Sequence, residues 1–158
     1  VKQTVKKSLL VIANAPSTNT RRLAEAVVSG ASHPDIESVD VTHIQPLDAN
    51  EKDVRSADGI ILGTTENFGY MSGALKDFFD RIYYPVLEEK QGTPYALYVR
   101  AGLDGTGTIN AVERIVTGLR WRPICEPLLC HGSFQASFID QCEELGMTMA
   151  ASLDAGIA

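Results

Sequence analysis

The sequence predicts an α/β fold: a three-layer α/β/α sandwich around a five-stranded parallel sheet. Three observations carry that expectation. Ser8–Ala13 (SLLVIA) and Gly59–Gly63 (GIILG) are almost wholly apolar short runs, as expected of central strands covered on both faces. Strand-like and helix-like segments alternate along the whole chain with short connections, which puts helices on both sides of a parallel sheet. The connections after the first, third and fourth strands are also chemically unlike ordinary turns. In a doubly wound sheet of order 2-1-3-4-5 these three connections meet at one edge, at the switch point where ligands bind.

The elements follow in order. After Ser8–Ala13, Ser17 or Thr18 caps a helix of about a dozen residues whose apolar face is Leu23, Ala24, Val27 and Val28, ending near Gly30. Ile36–His43 alternates apolar and polar residues and reads as a strand near the sheet edge. Asn50 caps a short helix to Ser56. The strand Gly59–Gly63 leads into Thr64–Ser72 (TTENFGYMS), which reads as a long irregular loop. Gly73–Tyr84 is helical, with Ala74, Leu75, Phe78, Phe79 and Ile82 on the buried stripe. Lys76–Asp80 and Asp77–Arg81 form i,i+4 pairs on its wet face, and Pro85 stops or kinks it. Tyr95–Val99 is a strand, Arg100–Gly107 (RAGLDGTG) a Gly-rich loop, and Thr108–Leu119 a helix with Ile109, Val112, Ile115, Val116 and Leu119 inward. Pro123–Leu129 is the last strand, and Phe138–Ala155 the last helix.

Bulk properties narrow the function. The 158 residues are expected to form one domain, 1–158, with 44% hydrophobic and 22% charged residues. A formal charge of −6 without a basic stripe argues against nucleic acid as partner. No apolar run approaches the roughly 18 residues of a membrane span. Lys2, Lys6 and Lys7 before Ser8–Ala15 loosely imitate a signal peptide, but the apolar part is short, β-rich and runs straight into a helix. Cys125, Cys130 and Cys142 are odd in number and lack a CxxC spacing, so a reducing, cytoplasmic setting without disulfides or a zinc site is expected.

The first unusual loop, Asn14–Thr20, offers the hydroxyls of Ser17, Thr18 and Thr20, the amide of Asn19 and the free N–H groups of a helix start. Such a set can hold a phosphate without lysine. Arg21 and Arg22 occupy the first helical turn, where the dipole disfavours cations unless an anion is bound. The alternative is a plain N-cap with two solvated arginines. The second loop holds Glu66, Asn67, Phe68, Gly69, Tyr70 and Met71; its aromatics either offer a stacking face to a flat ligand or pack under the loop. The third, with Gly102, Gly105 and Gly107, can bring backbone N–H groups close to a planar ligand. No GxGxxG, GxxxxGK[ST] or GxSxG motif is present, and Gly63-Thr64 stands where a phosphoacceptor receiver domain would want aspartate. Trp121 precedes the last strand and is expected in the core or on the opposite rim. Cys130 and His131 follow the last strand and are expected at the same end as the loops, within reach of a ligand's periphery, with His131 read as a surface histidine.

Pro16-Ser17-Thr18-Asn19-Thr20, Thr64–Lys76 and Arg100–Gly107 together resemble the flavodoxin-like FMN-binding superfamily, most closely its short-chain members grouped with NAD(P)H-dependent FMN oxidoreductases. The resemblance implies FMN as a non-covalent cofactor and NAD(P)H as reductant. It implies phosphate contacts from Pro16, Ser17, Thr18, Asn19 and Thr20, with Thr18 and Ala15 departing from the usual glycine and hydroxyl. It implies ring contacts from Thr65, Glu66, Asn67, Phe68, Gly69 and Tyr70 and from Ala101 and Gly102 on the pyrimidine side, with Arg100 either neutralising charge there or meeting a cofactor phosphate, and Asp104 among the cofactor-binding residues. The implied activity is hydride or electron transfer between NAD(P)H and an acceptor such as a quinone or flavin, with the chemistry on the flavin and no catalytic side chain. The alternative is a flavodoxin-type electron carrier without turnover of its own. Expected partners are a small-molecule donor and acceptor or a redox protein, with no nucleic acid and no membrane. The aromatic loop and Tyr83-Tyr84 are where a homodimer would form.

Overall fold

The computed structural model describes residues 5–158; Lys2, one of the three lysines considered above, lies outside them. Strand β3 (Gly59–Asn67) sits at the centre of a parallel sheet, flanked by β1 (Lys7–Ala13) and β5 (Pro94–Ala101), with β2 (Val39–Ile44) beyond β1. The last strand is split. β6 (Arg122–Pro123) and β7 (Leu128–His131) both pair with β5 in parallel, one after the other along its outer edge. Counting those two pieces as one, the order is the expected 2-1-3-4-5. The expected strand Pro123–Leu129 fails as a single element because Ile124–Pro127 leaves the ladder between Tyr95 and Tyr98. Pro127 has no N–H to give to a ladder, which suits it to that interruption.

Strand alternation splits the core into two layers. Leu10, Ile12, Ile60, Leu62, Leu97 and Val99 face α2 (Glu51–Ser56), α3 (Gly73–Val86) and α4 (Thr106–Gly118). Leu9, Val11, Ala13, Ile61, Ala96 and Tyr98 face α1 (Thr18–Ala31) and α5 (Ala136–Asp154). On the first side Leu75, Phe78, Phe79 and Ile82 are fully buried, each stabilising by about 1.5–3 kcal/mol relative to exposure. Trp121 is buried there too, its ring 6.5 Å from that of Phe79 and away from the cleft described below. On the second side α1 and α5 touch backbone to backbone. A Cβ at Gly30 would overlap the Glu143 carbonyl, and one at Gly146 the Val27 carbonyl, so glycine at both positions sets the closeness of the helices.

Several boundaries differ from the sequence expectation, each for a local reason. Thr64–Ser72 is not an irregular loop: β3 runs on to Asn67 and turns through Phe68-Gly69 into the short antiparallel β4 (Tyr70–Met71). Both turn residues have positive φ, 54° and 75°, the geometry of a type I′ hairpin. Arg100 and Ala101 lie in β5, not in the following loop, because β7 extends the ladder that far. Gly107 is already inside α4. β2 begins at Val39, later than Ile36. α3 continues through Pro85 to Val86, so near the helix end the missing Pro85 N–H deprives only the Arg81 carbonyl of its intrahelical donor.

Candidate functional site

A cleft of about 580 Å³ opens at the carboxyl end of β1, β3 and β5. Its walls come from the three connections singled out in the sequence, together with Ser72, Gly73 and Ala74 at the start of α3.

At one end lies the start of α1. Ser17 is the N-cap, with extended backbone, and Thr20 completes a reciprocal capping box. Ser17 Oγ accepts the Thr20 N–H at 3.2 Å, Thr20 Oγ1 accepts the Ser17 N–H at 2.9 Å, and the two hydroxyls share a hydrogen bond of 2.8 Å. The plain N-cap is thus present. Among the described residues, however, the N–H groups of Thr18 and Asn19 find no protein acceptor, and both residues are exposed. With Ser17, Asn19 and Thr20 on the cleft wall, this is an anion-accepting donor set beside the positive end of a helix.

At the other end stands the hairpin. Its base is clamped: buried Thr64 Oγ1 donates to the Thr65 carbonyl at 2.9 Å and accepts the Ser72 N–H at 3.0 Å. Ser72 Oγ in turn accepts the Leu75 N–H at 3.2 Å and caps α3. Glu66 ties the hairpin to the third connection, its carboxylate accepting the Gly105 N–H at 2.6 Å. Gly105 has φ 77°, and a Cβ there would stand 2.5 Å from Leu129, so the connection keeps its path only with glycine. Asn14 joins the two ends. Its amide donates to Thr65 Oγ1 at 3.4 Å, and Thr65 donates to Asn67 Oδ1 at 3.0 Å.

Of the sequence candidates, Pro16, Ser17, Asn19, Thr20, Thr65, Glu66, Asn67, Arg100 and Gly102 line this cleft. Thr18, between Ser17 and Asn19 in sequence, is exposed and not on the wall, its hydroxyl accepting from Arg21 at 3.3 Å. Phe68, Gly69 and Tyr70 form the hairpin tip outside the wall. Phe68 is 107% exposed and Tyr70 40%, so neither aromatic packs beneath the loop. Ala101 is buried in β5, its carbonyl accepting from Arg100 and from the Gly132 N–H. Asp104 is exposed and accepts from the Thr106 hydroxyl at 2.8 Å. The structure does not bring Ala101 or Asp104 to the wall. Asn14, Ser72, Gly73 and Ala74 line it without having been candidates. Asn14 is the first polar residue after an apolar strand and Ser72 an N-cap, and both signals stood in the sequence.

Cys130, on β7, and Cys142, on α5, are both fully buried in the same core layer. The Cys142 thiol is pushed up by its hydrogen bond with Cys130 and by burial. Cys130 is lowered by that same bond and by the nearby Arg100 guanidinium. His131 is exposed, as expected. No cluster of three or more metal-ligating side chains occurs among the described residues.

A profile of the family described as NADPH-dependent FMN reductase matches residues 8–126. The chain belongs to this family. It is 32% identical over 111 residues to a flavodoxin of Aquifex aeolicus; the match covers 70% of this chain and 59% of that protein, so the chain spans under two thirds of its relative. Among solved structures, a flavodoxin from the domain Archaea superposes with a TM-score of 0.76 at 21% identity, covering 92% of this chain and 98% of that one. Rubredoxin oxygen:oxidoreductase from Desulfovibrio gigas superposes with a TM-score of 0.78 at 12% identity, covering 98% of this chain and 38% of that one. Both likenesses establish the flavodoxin-like fold. The family is an FMN-binding one, and the donor set fits FMN: a phosphate cradle at one end, hydrogen-bonding groups at the other, and open space above Gly73 and Gly102.

Proposed function

We propose that this protein is an FMN-dependent oxidoreductase that passes hydride or electrons from NAD(P)H to an acceptor such as a quinone or another flavin. The observation that carries the reading is the pairing, in one cleft, of an anion-accepting helix start with a clamped hairpin whose aromatic tip is left free. Bound there, FMN would supply the hydride and electron chemistry itself.

The chain's own residues have three tasks. The Thr18 and Asn19 N–H groups, with the hydroxyls of Ser17, Thr18 and Thr20, would hold the phosphate; the Ser17 and Thr20 hydroxyls, bonded to each other and to backbone without it, would each turn a proton toward it. Thr65, Glu66, Asn67, Gly102 and Arg100 line the ring end. Glu66 holds the β5–α4 connection against the hairpin, so the two sides of the ring slot keep a fixed separation. Phe68 and Tyr70, at the hairpin tip, meet whatever reacts at the exposed face. Phe68 sits at φ 54°, a conformation costing a bulky residue about 1 kcal/mol, with no packing in return.

A second reading is favoured by the name of the Aquifex aeolicus relative, a flavodoxin: an electron carrier without turnover of its own. The net charge of −6 gives such a carrier only modest electrostatic steering. Anaerobic mixing of the FMN-loaded protein with NADPH or NADH separates the two. Rapid bleaching, followed by turnover on a quinone, supports the reductase. An absence of bleaching with both nucleotides would favour the carrier.

A further inference from the structure

A second cavity, of about 490 Å³, opens at the outer edge of the sheet, where Ile124–Pro127 leaves the ladder. That volume lies in the range of small-molecule sites. The cavity shares no wall residue with the cleft at the carboxyl end of β1, β3 and β5. Tyr95 and Leu97, both buried, line it from β5, and Glu113 lines it from α4. The departed segment adds Ile124, Cys125 and Glu126. Pro123 and Pro127 bracket that segment, and neither has an N–H to return to β5, so the gap is a fixed feature of the edge.

The charge in this cavity is one-sided. Glu113 and Glu126 stand on its wall, and no Lys, Arg or His does. Neither carboxylate belongs to any of the five ion pairs among the described residues. Tyr95 is 6% exposed, and its hydroxyl has no hydrogen-bond partner among the described residues. Burial and the Glu113 carboxylate push that hydroxyl up, which places it within reach of Glu113. Burial and Glu126 likewise push the Cys125 thiol up, so Glu126 stands beside Cys125. Two carboxylates on one largely apolar cavity favour a cation between them. A bare metal ion does not fit, because no cluster of three or more metal-ligating side chains occurs among the described residues. An alkyl chain with an ammonium at each end does fit. The chain packs on Leu97 and Ile124, and each head brings donors only, to walls whose charged groups only accept.

We propose that the cavity between β5, α4 and Ile124–Pro127 binds a small aliphatic diamine, with one ammonium on Glu113 and the Tyr95 hydroxyl and the other on Glu126. The site is separate from the flavin cleft and does not rest on the oxidoreductase reading above. Its selectivity comes from two features together: a pair of carboxylates that rewards a second positive charge, and an apolar lining that rewards an alkyl chain over a hydrated metal ion.

Calorimetry on the purified full chain tests this with diaminobutane, butylamine and magnesium chloride at constant ionic strength. Diaminobutane should bind once per chain, about tenfold more tightly than butylamine, and magnesium should bind more weakly than either. Glu113→Gln and Glu126→Gln keep the side-chain shape, and each should weaken diaminobutane about tenfold, to near the butylamine level. Tyr95→Phe should weaken it about threefold. Cys125 is the one cysteine that is not fully buried, so it reports occupancy. Saturating diaminobutane should slow its reaction with a thiol reagent, and butylamine at the same concentration should slow it far less. No binding of diaminobutane, equal binding of the two amines, or Gln variants with unchanged affinity would overturn the assignment. So would magnesium binding as tight as the diamine. The titration should give the same result with and without FMN, so failure of the flavin reading and failure of this site are told apart.

Discussion

The two ends of the cleft are built on opposite plans. At the start of α1 the side chains are already engaged with one another, and the free capacity lies in backbone N–H groups fixed by the helix. At the hairpin the base is clamped through Thr64, Ser72 and Glu66, while the tip projects Phe68 into solvent in a strained conformation. The contrast separates anchoring from reaction. On the proposed reading, one end would grip an invariant part of a ligand and need not adapt, while the other would keep a surface available for a partner that comes and goes.

The largest effect should come from breaking the grip. Replacing Ser17 and Thr20 together by Ala should weaken FMN roughly 100-fold, from two charge-assisted hydrogen bonds of about 1.5 kcal/mol each, and riboflavin far less. Flavin fluorescence titration reads both, and equal losses would remove these hydroxyls from the phosphate. Next, Gly105→Ala forces a Cβ into Leu129 at a positive φ, and the protein should lose about 2 kcal/mol in urea denaturation. A neutral outcome would mean that the connection is looser than the hairpin it adjoins. Glu66→Ala leaves the Gly105 N–H without its acceptor and should cost about 1–2 kcal/mol. Glu66→Gln, which keeps an acceptor oxygen, should recover most of that. The smallest change is at the tip. Phe68→Asn installs the pair best suited to a type I′ turn and should raise stability by about 0.5 kcal/mol, while the KM for the pyridine nucleotide rises and FMN affinity stays put. A loss of stability would show that Phe68 packs in solution, and the contrast between the two ends would then fall.

The sheet order and both central strands were legible because Ser8–Ala13 and Gly59–Gly63 carry their burial in their composition. The capping box at Ser17 and the i,i+4 pairs Lys76–Asp80 and Asp77–Arg81 are local, and local patterns survive into the structure. The hairpin was not legible as one, because Phe at a positive φ hides a turn that Asn-Gly would announce. The ends of β5 and the split of the last strand depend on pairing with a partner thirty residues away, which no local pattern records. Within the cleft, three loops at one edge followed from topology. Which side chains turn inward did not: Ala101 and Arg100 are neighbours in one strand, and alternation sends them to opposite layers.

The central claim is that the α1 start grips the phosphate of FMN. Titrating flavin-free protein with FMN and with riboflavin, and following quenching of flavin fluorescence, tests it most directly. One FMN per chain, bound at least 100-fold more tightly than riboflavin, is the predicted result; no uptake of FMN, or equal affinity for the two flavins, would contradict it.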